Sequence, residues 1–263
     1  MLKAILYYIL LIAEFLITLF IGGSIMGIYM ATGKNKDSLD NAAFLNQEFF
    51  PFVIGLCFLT MLVVWLTFGH YKFSKFSLGK VLPSDKWKAM AYTCMPIIGM
   101  TLAFNATSNL FNIDFLPKDM KDINYLTYIP FAVLGSFFSA YIFYGAIQEE
   151  LIRCGKKKWI QLLTLCVMML PASMMSMKAN GDFAVELTFQ GFITTCYGCW
   201  IYRKTRSTIV LFAIYFTSNL VPMTLEPKPL DIVLAIVGTV MLIYGFIAVR
   251  KKMPKFLIEK EYE

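Results

Sequence analysis

The sequence predicts an all-α fold, a polytopic membrane helical bundle of about eight transmembrane helices with both termini cytoplasmic. Three observations predict it. The chain is 58% hydrophobic and only 16% charged over 263 residues, where a soluble domain carries roughly 45–50% apolar and about 25% charged residues. The apolar residues fall in runs of about span length. The charges between those runs alternate in sign: the segments after runs one, three, five and seven each sum to about −1, and the others are positive.

Taken in order, the first span is Ala4–Met30, behind Lys3, and Glu14 lies inside it. A mid-membrane acid is a functional candidate by default, or a hydrogen-bond partner for a neighbouring helix. Phe49–Phe68 is span two. Gly69–Lys88 is a lysine-rich loop that holds His70, which reads as a solvated residue beside lysines. Ala89–Phe111 is span three, with Asn105 and Asn109 at its far end. Tyr128–Gln148 is span four, followed by the basic turn Gly155-Lys156-Lys157-Lys158. Trp159–Met177 is span five, whose methionines, including Met174 and Met177, offer a deformable packing surface; Asn180 follows it. Leu187–Tyr202 is span six, where Gly191 and Gly198 permit close helix contact. Thr208–Met223 is span seven and Ile232–Val249 is span eight, ahead of a basic tail.

The formal net charge of +7 sits in loops beside apolar runs. That is a topology signal with an attraction to anionic lipid, and it does not point to nucleic acid. The six cysteines lie mostly within apolar runs and read as small buried hydrophobes. Cys196 and Cys199 have metal spacing but no second pair, so neither a metal nor another cofactor is expected. No repeat or soluble domain interrupts the chain. Residues 1–263 read as one integral membrane domain, so function lies within or between the spans.

The most informative stretch is Tyr144–Gly155, which carries Gln148, Glu149, Glu150 and Arg153 at the cytoplasmic end of span four. Glu149 and Arg153 are four apart and share a helix face, so each can partner the other. The plain reading is a set of boundary charges where a helix leaves the membrane. Tyr215 and Asn219, also four apart, share a face of span seven. One residue of register is about 100° of helix rotation, so the sequence alone does not say which of Gln148, Glu149 and Glu150 face inward.

These positions resemble the CPBP family, the CAAX-protease and bacteriocin-processing (Abi) membrane proteins. The resemblance covers about residues 131–221 and is best over residues 189–220, including the turn Tyr202-Arg203-Lys204-Thr205-Arg206-Ser207. It makes residues 128–223 the core, with residues 1–127 and 224–263 as flanking spans. Against the family's Glu-Glu-x-x-x-Arg, this chain has Gln148-Glu149-x-x-x-Arg153; counted from Glu149-Glu150, Cys154 replaces the arginine. The family's second motif, Phe-x-x-x-His, falls near Ser173–Met177, with a methionine at the histidine position. The third, His-x-x-x-Asn, reads Tyr215-x-x-x-Asn219.

In the family a glutamate helped by histidines is thought to activate water for peptide cleavage. Here no intramembrane histidine remains, and tyrosine, with a reference pKa near 10, is a poor base at neutral pH. The resemblance therefore implies a degenerate, non-catalytic member of a bacterial plasma membrane. It would bind a membrane or cell-envelope protein or peptide in a regulatory or bacteriocin-immunity role. Its motif positions would be Glu149, Glu150, Arg153, Tyr215 and Asn219, and Gln148, Met174, Met177 and Glu14 would line the partner cavity. The alternative is an active intramembrane endopeptidase using Glu149, with Asn219 as oxyanion donor. A third reading is a transporter or lipid-handling protein, with Glu14 and Glu149 along its path.

Overall fold

The computed structural model describes residues 77–110, 125–167, 184–220 and 231–258, with six further positions near the N-terminus. Over these residues the chain is all-α, and the β pairing among them is the single bridge Val81–Leu257. Spans one and two fall largely or wholly outside the described residues, as do Glu14, His70, Met174, Met177 and Asn180.

Helix α1 (Lys86–Leu110) covers expected span three and starts behind the 3-10 turn Pro83–Asp85. Proline suits that first position because its missing N–H would have no helical partner there. Asp85 closes the turn by accepting from Lys88 Nζ at 2.9 Å. Expected span four is one continuous helical stretch in three parts: α2 (Tyr125–Phe138), a π-helical segment (Ser139–Gln148) and α3 (Glu149–Arg153). Helix α4 (Lys158–Val167) begins span five. Spans six, seven and eight correspond to α5 (Ala184–Thr205), α6 (Thr208–Leu220) and α7 (Asp231–Lys252).

Two helix ends are legible in chemical detail. Helix α3 closes in a Schellman motif: Lys156 N–H donates to Leu151 O and Gly155 N–H to Ile152 O. The motif needs a left-handed residue after the cap, and Gly155 supplies it at φ +66. At the start of α6, Ser207 Oγ accepts from Val210 N–H at 3.2 Å, an N-cap bond to the third helical residue.

Helices α1 and α7 pack antiparallel with their backbones in near contact. A Cβ at Gly99 would collide with the backbone of Gly238 and Leu242, and one at Gly238 with the backbone of Gly99 and Ala103. Farther along, a Cβ at Gly245 would lie 2.8 Å from the Pro96 ring. Pro96 removes a hydrogen bond inside α1, and the missing side chain opposite makes room for its ring.

At one end, residues 77–82 tie three segments together. Lys80 N–H donates to Thr205 O, Leu82 N–H to Phe256 O, and Ile258 N–H to Lys80 O. Ser77 N–H donates to Thr208 Oγ1 at 2.8 Å, and Ser207 Oγ donates to Ser77 O at 3.2 Å. The basic segments before α1, between α5 and α6, and after α7 therefore meet at the same end of the bundle.

Of the described helices, one, Asp231–Phe256, is long and apolar enough to cross a membrane, and only 22% of its apolar window is buried. Ile232, Ile236, Val240, Ile243 and Ile247 leave its outer side exposed. The apolar helices Lys158–Val167 and Thr208–Leu220 are shorter.

Candidate functional site

Of the expected motif residues, Glu149, Arg153, Tyr215 and Asn219 lie along a polar seam where the α2–α3 stretch packs against α5 and α6, and Glu150 does not. Successive polar groups along the stretch form its rungs, and each reaches across to a neighbouring helix.

At the α2 end, Asn219 Nδ2 donates to Ser136 Oγ at 3.1 Å. Ser136 is buried and donates in turn to Ala132 O. One turn along α6, the Tyr215 hydroxyl lies 2.5 Å from the Tyr144 hydroxyl, and Tyr144 Oη donates to Thr195 O at 3.3 Å. Each phenol has one proton, so the chain runs from Tyr215 to Tyr144 to the α5 backbone. Both tyrosines are buried. Gly198 allows this approach: a Cβ there would sit 2.6 Å from Tyr144 Oη. Gly191, expected to play the same part, faces open space.

The next rung is Gln148, fully buried, whose Nε2 donates to both the carbonyl and the thiol sulfur of Cys199 at 3.1 Å. Its Oε1 has no hydrogen-bond partner. Cys199 is a buried free thiol. Among the described residues no group of three or more His, Cys, Asp or Glu side chains is placed to hold a metal ion.

The last rung is Glu149. Arg206 Nη1 donates to its Oε2 at 2.5 Å, Tyr202 Oη donates to the same oxygen at 3.1 Å, and Arg153 Nε donates to Oε1 at 3.3 Å. One carboxylate thus holds two guanidiniums and a phenol, with its side chain 18% exposed. Glu150, next in sequence, turns away and accepts from the exposed Cys154 thiol.

The chain's local choices make this possible. Arg206 sits in the left-handed region at φ +51, a conformation that disfavours side chains with a Cβ. It does so in a two-residue turn between α5 and α6. Thr205 Oγ1 accepts from Ser207 N–H at 3.2 Å and donates to Ile201 O at 3.0 Å, which closes that turn from inside. Gly79 backs it, since a Cβ at Gly79 would strike the carbonyls of Thr205 and Arg206. Four of the six residues from Tyr202 to Ser207, namely Tyr202, Thr205, Arg206 and Ser207, therefore have bonds that shape the turn or point into the seam.

The register left open by the sequence is resolved in favour of counting back from Arg153: Gln148 and Glu149 face the seam and Glu150 does not. The π-helical segment is the reason periodicity could not decide it. An i→i+5 turn adds about one residue to each turn, about 100° of rotation by α-helical reckoning. The expected Glu149–Arg153 pair forms, but it is the more exposed arm, with Arg153 55% and Arg206 27% exposed at the side chain. Arg206, Tyr202, Tyr144 and Ser136 were not singled out as site residues from the sequence. For Tyr202 and Arg206 the signal was present, two polar residues four apart in the turn where the family resemblance is best.

No protein-family model matches the chain, and no characterised protein or solved structure is significantly similar to it.

Proposed function

We propose that this chain is a multi-pass membrane protein with both termini cytoplasmic. In it the motif positions of a CPBP-like core have become helix-to-helix bonds, and its role is to bind a membrane or cell-envelope protein partner. The observation that carries the reading is the occupancy of Glu149. A general base needs a lone pair free to take a proton from water. Three of the roughly four lone-pair sites on the Glu149 carboxylate are already taken, two on Oε2 by Arg206 and Tyr202 and one on Oε1 by Arg153, which leaves little of it for a water. The candidate oxyanion donor is likewise partly engaged, since one of the two N–H groups of the Asn219 amide goes to Ser136. The tyrosine at the third motif's histidine position is committed to Tyr144.

Support for the membrane comes from composition and from α7. An apolar helix exposed along its outer side is costly in water and at home among lipid tails. The basic segments gathered at one end support a cytoplasmic location for that end by the positive-inside rule. A reporter fused after Glu263 that is active only in the cytoplasm should then be active. An inactive reporter beside an active periplasmic one reverses the orientation.

The partner reading is tested by purification from membranes, wild type beside Glu149→Gln, with bound proteins identified by mass spectrometry. The expected result is the same full-length membrane protein with both forms and a cleaved product with neither. An intact protein trapped by Glu149→Gln alone, and found cleaved with wild type, overturns the reading in favour of an intramembrane endopeptidase.

A further inference from the structure

The corner formed by α3 and the α5–α6 turn has more positive charge than its own bonds use. Residues 149–158 and 203–206 hold Arg153, Lys156, Lys157, Lys158, Arg203, Lys204 and Arg206 against the carboxylates of Glu149 and Glu150. Two guanidinium groups share the single carboxylate of Glu149. Arg203 Nη1 and Arg206 Nε are enclosed and have no hydrogen-bond acceptor. A charged donor left without an acceptor is costly, so such groups normally have a partner. Both side chains are part-exposed, and a change of rotamer at Arg203, which has no bond to Glu149, can present its N–H groups to an arriving oxyanion beside Arg206 held on Glu149.

The surroundings suggest where that oxyanion comes from. All three described tryptophans lie at this end of the bundle. Trp87 and Trp159 are the second residues of α1 and α4 and are 69% and 62% exposed. Trp200 lies in the last two turns of α5, with Lys204 Nζ 4.6 Å from its ring centre. Tryptophan collects at the headgroup level of a bilayer. A fork of N–H donors at that level meets phosphate oxygens, which guanidinium groups bind in paired fashion.

We propose that this corner binds a phosphate oxyanion, that of an anionic phospholipid headgroup, through Arg203 and Arg206 with Arg153 at the rim. The proposal rests on the membrane reading above and gives it a lipid class. Lys156–Lys158 supply long-range attraction to the same leaflet, and the arginines supply the site.

The test uses the full chain in detergent micelles. Thermal unfolding and tryptophan fluorescence are followed as dioleoylphosphatidylglycerol, dioleoylphosphatidylcholine or inorganic phosphate is added. Arg203 has no bond to Glu149, so Arg203→Gln leaves that cluster intact; Arg153→Gln is a second variant at a half-exposed side chain. Saturable protection by phosphatidylglycerol is expected, with little from phosphatidylcholine, and about tenfold weaker affinity in Arg203→Gln. Equal protection by inorganic phosphate supports the oxyanion site but assigns it to a soluble phosphate. Equal protection by both lipids overturns it. So does unchanged affinity in Arg203→Gln with a loss on replacing Lys156–Lys158, which reduces the effect to diffuse charge. Failure of the membrane reading itself looks different: the chain then stays in solution without detergent.

Discussion

The α1–α7 pair and the Glu149 corner hold helices together by opposite means. Between α1 and α7 the contact is backbone against backbone, at Gly99, Gly238 and Gly245, with Pro96 filling the last gap. At the corner the contact is charge and hydroxyl, with one carboxylate gathering three donors. On the membrane reading proposed above, burial offers little drive for helices to associate, so close packing and hydrogen bonds remain. The chain uses the first along the apolar faces of α1 and α7 and the second at the charged end of α3 and the α5–α6 turn. The difference shows that sterics govern one region and electrostatic pairing the other, so the two should fail differently.

The largest effect is expected at the steric contact. Gly238→Leu forces a side chain into the α1 backbone, which cannot yield as a flexible side chain would. It should cost about 3 kcal/mol or more, read as a lower midpoint of thermal unfolding in micelles. If Gly238→Leu unfolds like wild type, the α1–α7 contact described above is not the one the protein uses.

Next comes the corner. Glu149→Ala leaves Arg206 and Tyr202 without their shared acceptor. The site is part-exposed, so the loss should be about 2 kcal/mol, below the 3–5 of a fully buried pair. Unlike the glycine variant, its cost should depend on the partner: Glu149→Ala and Arg206→Ala together should cost less than the sum of the two alone. Additive costs would show that the pair is not coupled.

The turn sharpens the comparison, because it joins sterics and charge in one residue. Arg206→Gly and Arg206→Ala both remove the ion pair, but glycine accepts φ +51 without penalty. Arg206→Gly should be more stable than Arg206→Ala by about 1 kcal/mol. Equal stability would mean the turn relaxes once the arginine is gone.

The smallest effects belong to the neutral rungs. Tyr215→Phe removes one hydroxyl while Tyr144 keeps Thr195 O, and interhelical hydrogen bonds of this kind average about 0.6 kcal/mol. A loss several times larger would mark Tyr215 as more than a packing residue.

Much of this could be read before any coordinates. Five apolar runs matched helices α1, α2–α3, α5, α6 and α7 within a few residues, because run length and flanking charge are local properties. Arg153 was paired correctly with Glu149 because a spacing of four within one helix is also local. Gln148 and Tyr215 were singled out as polar residues in apolar runs, but their partners, Cys199 and Tyr144, lie 51 and 71 positions away. No periodicity encodes such a distance.

The sequence by itself determined that the described residues are helical, where most of their helices lie and which segments are basic. These follow from composition and spacing along one dimension. Tertiary structure alone decided that Glu149 answers to Arg206 and Tyr202 as well as Arg153. That depended on an added residue per turn in the π-helical segment and on a left-handed arginine in a two-residue turn. Both are small backbone departures whose cost is local but whose compensation lies on another helix, and only the packed bundle brings the two together.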